Sequence, residues 1–243
     1  MTQATHFTLQ LARFDALRTN GGIEPGDRPG LLFAGVSSDT RAAGTEPASQ
    51  QAFVFAAYGY HTDAASAHAL LDDRRALLPW FVGARETWAG VLQPFRNKGV
   101  SNHVNRANPG ELFPAGSLTP PPPDHTPIVV VTTTGWTVTP GLDMARVRDF
   151  STGVLAVRVA MTGNPALRSQ QSFFFPRGLE YDPSTITFWT SLKAMTDFAY
   201  GPGIHSHQMG KQQAEHLADR ISSTRYTILR SEGTWYGRDP AAP

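Results

Sequence analysis

The most informative stretch of the sequence runs from Thr185 to His205, TITFWTSLKAMTDFAYGPGIH. Its first residues alternate threonine with bulky apolar side chains, which is typical of a β strand. Leu192–Tyr200 then places apolar residues at helical spacing, and Gly201-Pro202-Gly203 ends that helix. Helical periodicity resumes after the break, so His205 stands at the start of a new helix. The stretch predicts a strand and two helices, the second of which opens on a histidine, a residue that can ligate a metal.

An earlier part of the chain shows the same order of elements, which indicates an internal repeat of roughly 130 residues. The first copy has a strand in Gln51–Tyr58, helical patterns in Ala64–Leu71 and Leu77–Glu86, and a strand in Trp88–Phe95. The second copy closes with a strand in Arg225–Arg230. Further elements are predicted as strands in Gly30–Val36, Ile128–Thr134 and Gln170–Phe175 and a helix in Met144–Met161. The alternation of period-two and 3.6-residue patterns favours an α+β fold over a helical bundle.

A proline-rich segment separates the two copies. Pro120–Pro123 is a run of four prolines, which cannot continue a helix or a central strand. Such a run can be a ligand for another protein or a stiff spacer, and we predict the spacer. The predicted organisation is a first half over residues 1–100, a Pro-rich linker over residues 101–127 and a second half over residues 128–243.

The composition excludes several classes of function. With 21 basic and 20 acidic residues the formal net charge is +1, which gives no electrostatic basis for a nucleic-acid partner. The chain has no cysteine, so disulfides, thiolate zinc sites and iron–sulfur clusters are excluded. The sequence also has no G-x-G-x-x-G, G-x-x-x-x-G-K-[ST], G-x-S-x-G or H-E-x-x-H motif. A nucleotide cofactor on a Rossmann fold is therefore not expected.

The sequence shows no signal for secretion or membrane insertion. Met1–Phe7 lacks a basic patch followed by an apolar stretch, and no apolar run approaches the ~20 residues of a membrane span. We therefore expect a cytoplasmic protein.

Eight histidines are the candidate metal ligands: His6, His61, His68, His103, His125, His205, His207 and His216. On a regular helix the side chains of His205 and His207 point about 200° apart, so they cannot share one ion. His216 lies about 16 Å further along such a helix. No H-x-x-x-H pattern supplies the three protein ligands that zinc or non-haem iron needs. The pair His205/His207 is thus predicted to hold one ligand and one bystander.

Residues 128–240 resemble the spheroidene monooxygenase family. Its members share a strand and helix like Thr187–Tyr200, a histidine that begins the next helix, and an ending like Ser231–Pro240. The match is looser before residue 128, where it rests on Arg28–Phe33 and Phe53–Gly99. The family is similar in turn to the dimeric α+β barrel superfamily, several of whose members bind haem through one histidine. The resemblance implies an α+β fold in which two ferredoxin-like halves form a pseudo-dimeric α+β barrel.

The resemblance also implies haem b, with its iron ligated by His205, which stands where the family's histidine falls. The side chains that would line the apolar slot for haem are Phe188, Trp189, Met195, Phe198 and Met209, with Phe173, Phe174 and Phe175 as further candidates. Without the resemblance, such residues at strand and helix spacing are ordinary core. Anionic haem propionates would favour an arginine, and the sequence singles out none of Arg146, Arg148, Arg158, Arg168 and Arg177.

The implied activity is that of a haem-dependent monooxygenase, which transfers oxygen from O₂ or peroxide to an apolar small molecule, carotenoid-like or a secondary metabolite. The chain departs from the family at Glu215–Thr224, where members show Trp-Tyr and an acidic, aromatic stretch, and at Ala34–Asp39. We therefore expect a diverged substrate. The electron donor is not identified by the sequence, and such barrels often pair into homodimers.

Two other hypotheses stay open. Aldoxime dehydratases resemble the same superfamily and use ferrous haem to remove water, and a lyase of that kind would need a proton donor, for which His207, His61 and His68 are nominal candidates. A non-enzymatic barrel that carries haem or another ligand is the third hypothesis.

Overall fold

The computed structural model describes residues 4–15, 31–38, 53–73, 81–99, 113, 115–137, 140–177 and 180–242. The strands in these ranges are β1 (His6–Phe14), β2 (Leu31–Ser38), β3 (Phe53–His61), β4 (Glu86–Gly99), β5 (Gly116–Ser117), β6 (Ile128–Thr137), β7 (Leu167–Arg177), β8 (Glu180–Trp189) and β9 (Arg220–Gly233). The helices are α1 (Ala64–Asp72), α2 (Met144–Thr162), α3 (Leu192–Tyr200) and α4 (Ile204–Glu215).

The strands form one antiparallel sheet in the order β2-β3-β1-β4-β9-β6-β8-β7, with the short β5 beside β4. This order is symmetric about the β4–β9 pair, because β1, β3 and β2 lead away from β4 as β6, β8 and β7 lead away from β9. The second half follows the ferredoxin-like chain order of strand, helix, two strands, helices and strand. The edge strands β2 and β7 lie against each other, so the sheet curls into a barrel.

This arrangement confirms the predicted fold, two ferredoxin-like halves that form a pseudo-dimeric α+β barrel. The limits of the halves at residues 100/101 and 127/128 stay a prediction, because one continuous sheet joins the halves and residues 100–112 lie outside the described ranges.

Most predicted elements of the second half are present, and the strands are longer than predicted. The sequence interpretation missed β1, although Phe7, Leu9 and Leu11 alternate with polar residues there. Of the predicted helix Leu77–Glu86, residues 77–80 lie outside the described residues. Phe81 is helical, residues 82–85 form a turn and bend, and Glu86 begins β4 instead.

The barrel interior is filled by the inward-pointing residues of both halves. Phe7, Leu9 and Leu11 of β1 are buried there with Trp88 of β4 and Phe188 of β8. Trp88 and Phe188 meet edge to face with their ring centroids 5.0 Å apart. Each such side chain contributes about 1.5–3 kcal/mol by its burial. The halves therefore share one interior core.

The helices cover the outer face of the sheet, and polar side chains fix where they begin. Asp63, Asp143 and Ser191 accept hydrogen bonds from backbone N–H groups in the first turns of α1, α2 and α3. α1 buries Ala67 and Leu71 against the first half. A second outer core of α2, α3 and strand residues lies on the other half. None of the helices in the described ranges has the length and apolar character of a membrane span.

The four prolines Pro120–Pro123 have no regular secondary structure and lie between β5 and β6. Before the run, the Leu118 N–H donates to the Phe95 carbonyl at 3.0 Å. After it, the carbonyls of Asp124 and Thr126 accept from the N–H groups of Lys193 and Leu192, each at 3.0 Å. The backbone on each side of the run is thus attached to the sheet or to α3, and the role of a stiff spacer stays a prediction.

Candidate active site

A cavity of about 630 Å³ lies outside the barrel, between the outer face of the second-half strands and helices α2, α3 and α4. Its volume falls in the roughly 300–1,000 Å³ range of sites that bury small molecules and cofactors. Strands β6, β7, β8 and β9 form the sheet wall, and the end of β4 contributes Lys98 and Gly99.

Hydroxyl side chains cross the middle of the sheet wall. The register aligns Ser172, Thr185, Thr132 and Ser223 on β7, β8, β6 and β9, and we call these four residues the hydroxyl row. All four line the cavity. The Thr132 hydroxyl donates to Ser223 Oγ at 3.3 Å, and the oxygens of Ser172 and Thr185 are also 3.3 Å apart. A sheet face that packs directly on helices is usually apolar, so the row marks wall that no helix covers.

The opposite wall is formed in part by α4, a helix without a buried residue along its described length. His205, Gln208, Met209 and Gln212 nevertheless line the cavity. Their spacing of i, i+3, i+4 and i+7 defines one helix face, the face that a surface helix normally buries against a core. In α4 this face borders the cavity instead.

A close approach to α2 and an ion pair hold α4 in place. A Cβ atom on Gly153 of α2 would meet the flexible end of the Gln208 side chain, so α2 and α4 approach closely there. Lys211 Nζ lies 2.6 Å from a carboxylate oxygen of Asp149 in α2.

His205 lies in the first turn of α4, and α3 fixes the orientation of its ring. Nδ1 is 2.9 Å from the carbonyl oxygen of Ala199, and because a carbonyl can only accept, Nδ1 carries the proton. Burial lowers the pKa of His205, the hydrogen bond to Ala199 opposes that shift, and Lys98 adds to it. The histidine is therefore neutral, with the lone pair on Nε2, the form that ligates metals.

An aromatic cluster of Phe198 and Trp189 lies on one side of the His205 ring. Phe198 stands 5.6 Å from it, centroid to centroid, and Trp189 stands 5.4 Å from Phe198. Trp189 and Met195 are buried, and both line the cavity. The end of the cavity near His205 is thus largely apolar.

The cavity is cationic. Lys98, Arg158 and Arg225 line it, whereas no aspartate or glutamate among the described residues does so. Arg158 Nε is buried without a hydrogen-bond partner in the described part of the chain, and burial lowers the pKa of Arg158. Arg225 donates to the Tyr200 hydroxyl, and its guanidinium carbon is 5.3 Å from the centroid of the Tyr200 ring. Cations without acidic partners favour a ligand that carries negative charge.

The structure brings five predicted site residues to the cavity: Trp189, Met195, Phe198, His205 and Met209. The prediction for Phe188 is corrected, because its side chain packs in the barrel interior against Trp88. Successive residues of a strand point to opposite faces of the sheet, so Trp189 and its neighbour Phe188 cannot line the same wall.

Other sequence candidates have different surroundings. Of the candidate arginines, Arg158 lines the cavity, Arg146 pairs with Asp219 at 2.7 Å, and Arg168 donates to the Asp239 carbonyl at 3.3 Å. Arg148 and His207 are exposed. His61 and His68 belong to the first half. The side chains of Phe173, Phe174, Phe175 and Arg177 lie outside the described residues.

The sequence interpretation missed the hydroxyl row, Arg225 and the glutamines of α4. Threonine is common in strands, so Thr132 and Thr185 do not indicate a binding site in the sequence. Only the strand register shows that they lie side by side. Arg225 belongs to a predicted strand, but only the pairing of β9 with β6 places it beside Val130 on the cavity wall.

Within the described residues no group of three or more histidine and acidic side chains could hold a bare metal ion. A haem needs only one protein ligand to its iron together with an apolar slot and partners for its carboxylates. His205, the aromatic cluster and the three cations have this chemistry, so the residues present fit a haem.

Comparisons with known proteins identify the fold. No protein-family model matches the chain, and no curated protein matches it. A crystal structure of the aldoxime dehydratase OxdRE with butyraldoxime is 9% identical, with a TM-score of 0.59 over 96% of this chain and 83% of that one. A second aldoxime dehydratase is 10% identical, with a TM-score of 0.50 over 93% and 82% of the two chains. A monooxygenase-like protein from Listeria innocua is 10% identical and covers 94% and 96%, with a TM-score of 0.32.

At these identities the two aldoxime dehydratases show a shared fold and no more. The protein thus has a pseudo-dimeric α+β barrel fold, which these two structures share. Its own cavity combines one neutral histidine, an aromatic end and three cations.

Proposed function

We propose that this protein is a haem-dependent monooxygenase, which binds haem b in the cavity through His205 Nε2 and oxidises an apolar small molecule. One observation carries the proposal. The Ala199 carbonyl holds the proton of His205 on Nδ1 and leaves Nε2, which has no hydrogen-bond partner in the described residues, as a free ligand atom.

The single histidine favours haem over a bare ion. Zinc and non-haem iron take three or more protein ligands, and the described residues supply no such group. In haem the macrocycle provides four of the ligands, so one histidine suffices. The volume of about 630 Å³ and the aromatic end formed by Trp189 and Phe198 suit a flat apolar ligand.

The cations are the proposed partners of the haem carboxylates. Arg158 is the stronger candidate of the two arginines, because its buried Nε lacks a partner in the described residues whereas Arg225 already contacts Tyr200. A charge-assisted hydrogen bond from a buried guanidinium to a carboxylate is roughly twice as strong as a neutral one.

Haem, when bound, supplies the activation of O₂ or peroxide, with an external electron donor needed for O₂. The residues of this chain hold the cofactor, exclude water and bind the substrate. The α2 wall offers apolar contacts to the substrate through Phe150, Val154, Leu155, Val157 and Met161. An apolar substrate would bury this surface and displace weakly held water.

Titration of the purified protein with hemin tests the cofactor. We expect one equivalent to bind with a Soret band that shifts on reduction. His205→Ala should lose or change this spectrum, and added imidazole should restore a histidine-like spectrum. His207→Ala is the matched control, because His207 is an exposed residue of the same helix.

A folded protein that binds no hemin would contradict the proposal. So would a His205→Ala variant whose spectrum equals that of the unchanged protein, because the ligand would then be another residue. Far-UV circular dichroism of both variants shows whether either substitution has unfolded the chain.

A lyase that dehydrates aldoximes is the second candidate. The observation in its favour is the hydroxyl row, because an aldoxime carries an N–OH group that such side chains could hydrogen-bond. Anaerobic, dithionite-reduced protein supplied with an aldoxime separates the two candidates. Nitrile formation under these conditions favours the lyase, whereas substrate oxidation that strictly requires O₂ or peroxide favours the monooxygenase.

A further inference from the structure

The hydroxyl row lies across the cavity from the helix that carries His205. The row belongs to the sheet wall and His205 to the helix wall. A ligand held by His205 Nε2 would therefore lie between α4 and the sheet wall to which the row belongs.

The row is broken at its centre. Ser172 and Thr185 form one pair and Thr132 and Ser223 the other, each with 3.3 Å between oxygens. Thr132 and Thr185 are register partners on adjacent strands, about 5 Å apart, but no hydrogen bond joins their hydroxyls among the described residues. Both residues are half-buried and line the cavity. Two hydroxyls thus flank a gap that one ligand atom could fill.

The hydrogen bonds within the row are weak. Hydroxyl pairs in proteins usually stand about 2.7–2.8 Å apart, so a separation of 3.3 Å leaves both hydroxyls able to rotate toward a better acceptor. Thr133 and Ser184 show the contrast on the other face of β6 and β8. Their oxygens are 2.7 Å apart in a fully buried pair, which is a structural use of the same residue types.

We propose that Thr132 and Thr185 donate hydrogen bonds to the small ligand or substrate atom that binds opposite His205, and so act as positioning groups for the reacting oxygen. This inference rests on the proposed haem function. In this inference the sheet wall supplies the hydrogen-bond donors to the reacting oxygen, because the neutral histidine ligand does not supply them.

Two spectroscopic probes of the haem-loaded protein test the inference without an activity assay. The first is the C–O stretching frequency of the reduced haem with carbon monoxide, which falls when a donor points at the ligand oxygen. The second is the affinity of the oxidised haem for fluoride, an anion that accepts hydrogen bonds.

Thr132→Val and Thr185→Val should each raise the C–O frequency, and the double variant should raise it furthest. Each should also weaken fluoride binding by about three- to tenfold, the effect of one lost hydrogen bond. Thr132→Ser and Thr185→Ser keep the hydroxyl and should behave as the unchanged protein. Thr227→Val is the matched control, because Thr227 is a half-buried β9 residue outside the cavity lining.

Either valine variant alone is enough for the test if the other does not fold. Haem-loaded valine variants with unchanged frequency and fluoride affinity would overturn this inference and leave the proposed function standing. A protein that binds no hemin would overturn the proposed function, and this inference with it.

Discussion

Gly99 and Gly233 end β4 and β9, the two strands that join the halves. Both have a positive φ, 85° and 86°. A Cβ atom on Gly99 would clash with the Ile221 carbonyl oxygen, and one on Gly233 with the Thr87 carbonyl oxygen. Because β4 and β9 are equivalent strands of the two halves, the same glycine feature occurs twice at their junction.

We expect Gly99→Ala and Gly233→Ala each to lower the free energy of unfolding by about 1–3 kcal/mol, because each adds backbone strain and a clash with rigid main chain. Gly210→Ala is the control. Nothing lies within 4 Å of a Cβ atom on Gly210 in α4, so this substitution should raise stability by about 0.5–1 kcal/mol through helix propensity. Urea denaturation measures the free energy of unfolding of all three variants. An unchanged midpoint for Gly233→Ala would show that alanine causes no strain at this position.

At the scale of single elements, β1 and β8 show what the sequence could and could not predict. The alternating pattern of β1 is present in the sequence, but the sequence interpretation did not identify this strand. In β8 the strand itself was predicted, yet the choice of Phe188 as a cavity residue required knowing which face points outward. Periodicity locates a strand, whereas the register with β6 and β7 decides which of its residues meet a ligand.

The sequence pattern predicts only that His205 begins a helix, whereas the family resemblance adds the prediction that it ligates haem iron. The sequence located the residue at the start of a helix, and the structure adds the Ala199 hydrogen bond that selects Nε2. That contact joins α4 to the end of α3, so it depends on how the chain turns at Gly201–Gly203. Such contacts between elements are set by tertiary packing, and no local pattern encodes them.

The β1–β3 pair predicts how stability depends on pH. His6 and His61 are register partners, and burial lowers the pKa of both. His68 adds to the lowering for His6, His6 adds to it for His61, and Asp63 opposes it for both. As the pH falls, the unfolded chain therefore binds protons before the folded chain does. The free energy of unfolding is undiminished above pH 6.5, the usual histidine pKa, and it decreases as the pH drops below that value.

The double variant His6→Gln/His61→Gln should show a shallower loss of stability just below pH 6.5 than the unchanged protein. His207→Gln, at an exposed position, is the control for the loss of one imidazole. Thermal unfolding across the pH range measures both, and an equally steep loss in the double variant would show that other groups cause it.

At the scale of the whole molecule, the halves depend on each other because they share the barrel interior. Val129, Ile186, Phe188 and Tyr226 of the second half are almost fully buried there. Separation of the halves would expose these side chains and the edge of β9 that pairs with β4. An exposed strand edge beside an apolar face pairs readily with another chain.

We therefore expect the fragment 128–243 to be dimeric or aggregated when it is produced alone, with β9 pairing as β4 does in the whole chain. Sedimentation analysis gives its state of association. Coexpression with the fragment 1–127 should recover a soluble complex. A stable, folded monomer of 128–243 would show instead that the second half is an independent domain.

The inner face of α4 borders a cavity where most helices border a core. A bound cofactor would therefore complete the packing of this helix, and the empty protein would open there more readily than elsewhere. In a cell, proteases act on chains that open, so empty molecules would be removed faster than loaded ones. If the cavity holds the proposed cofactor, the abundance of the protein would follow the supply of that cofactor without any change in its synthesis.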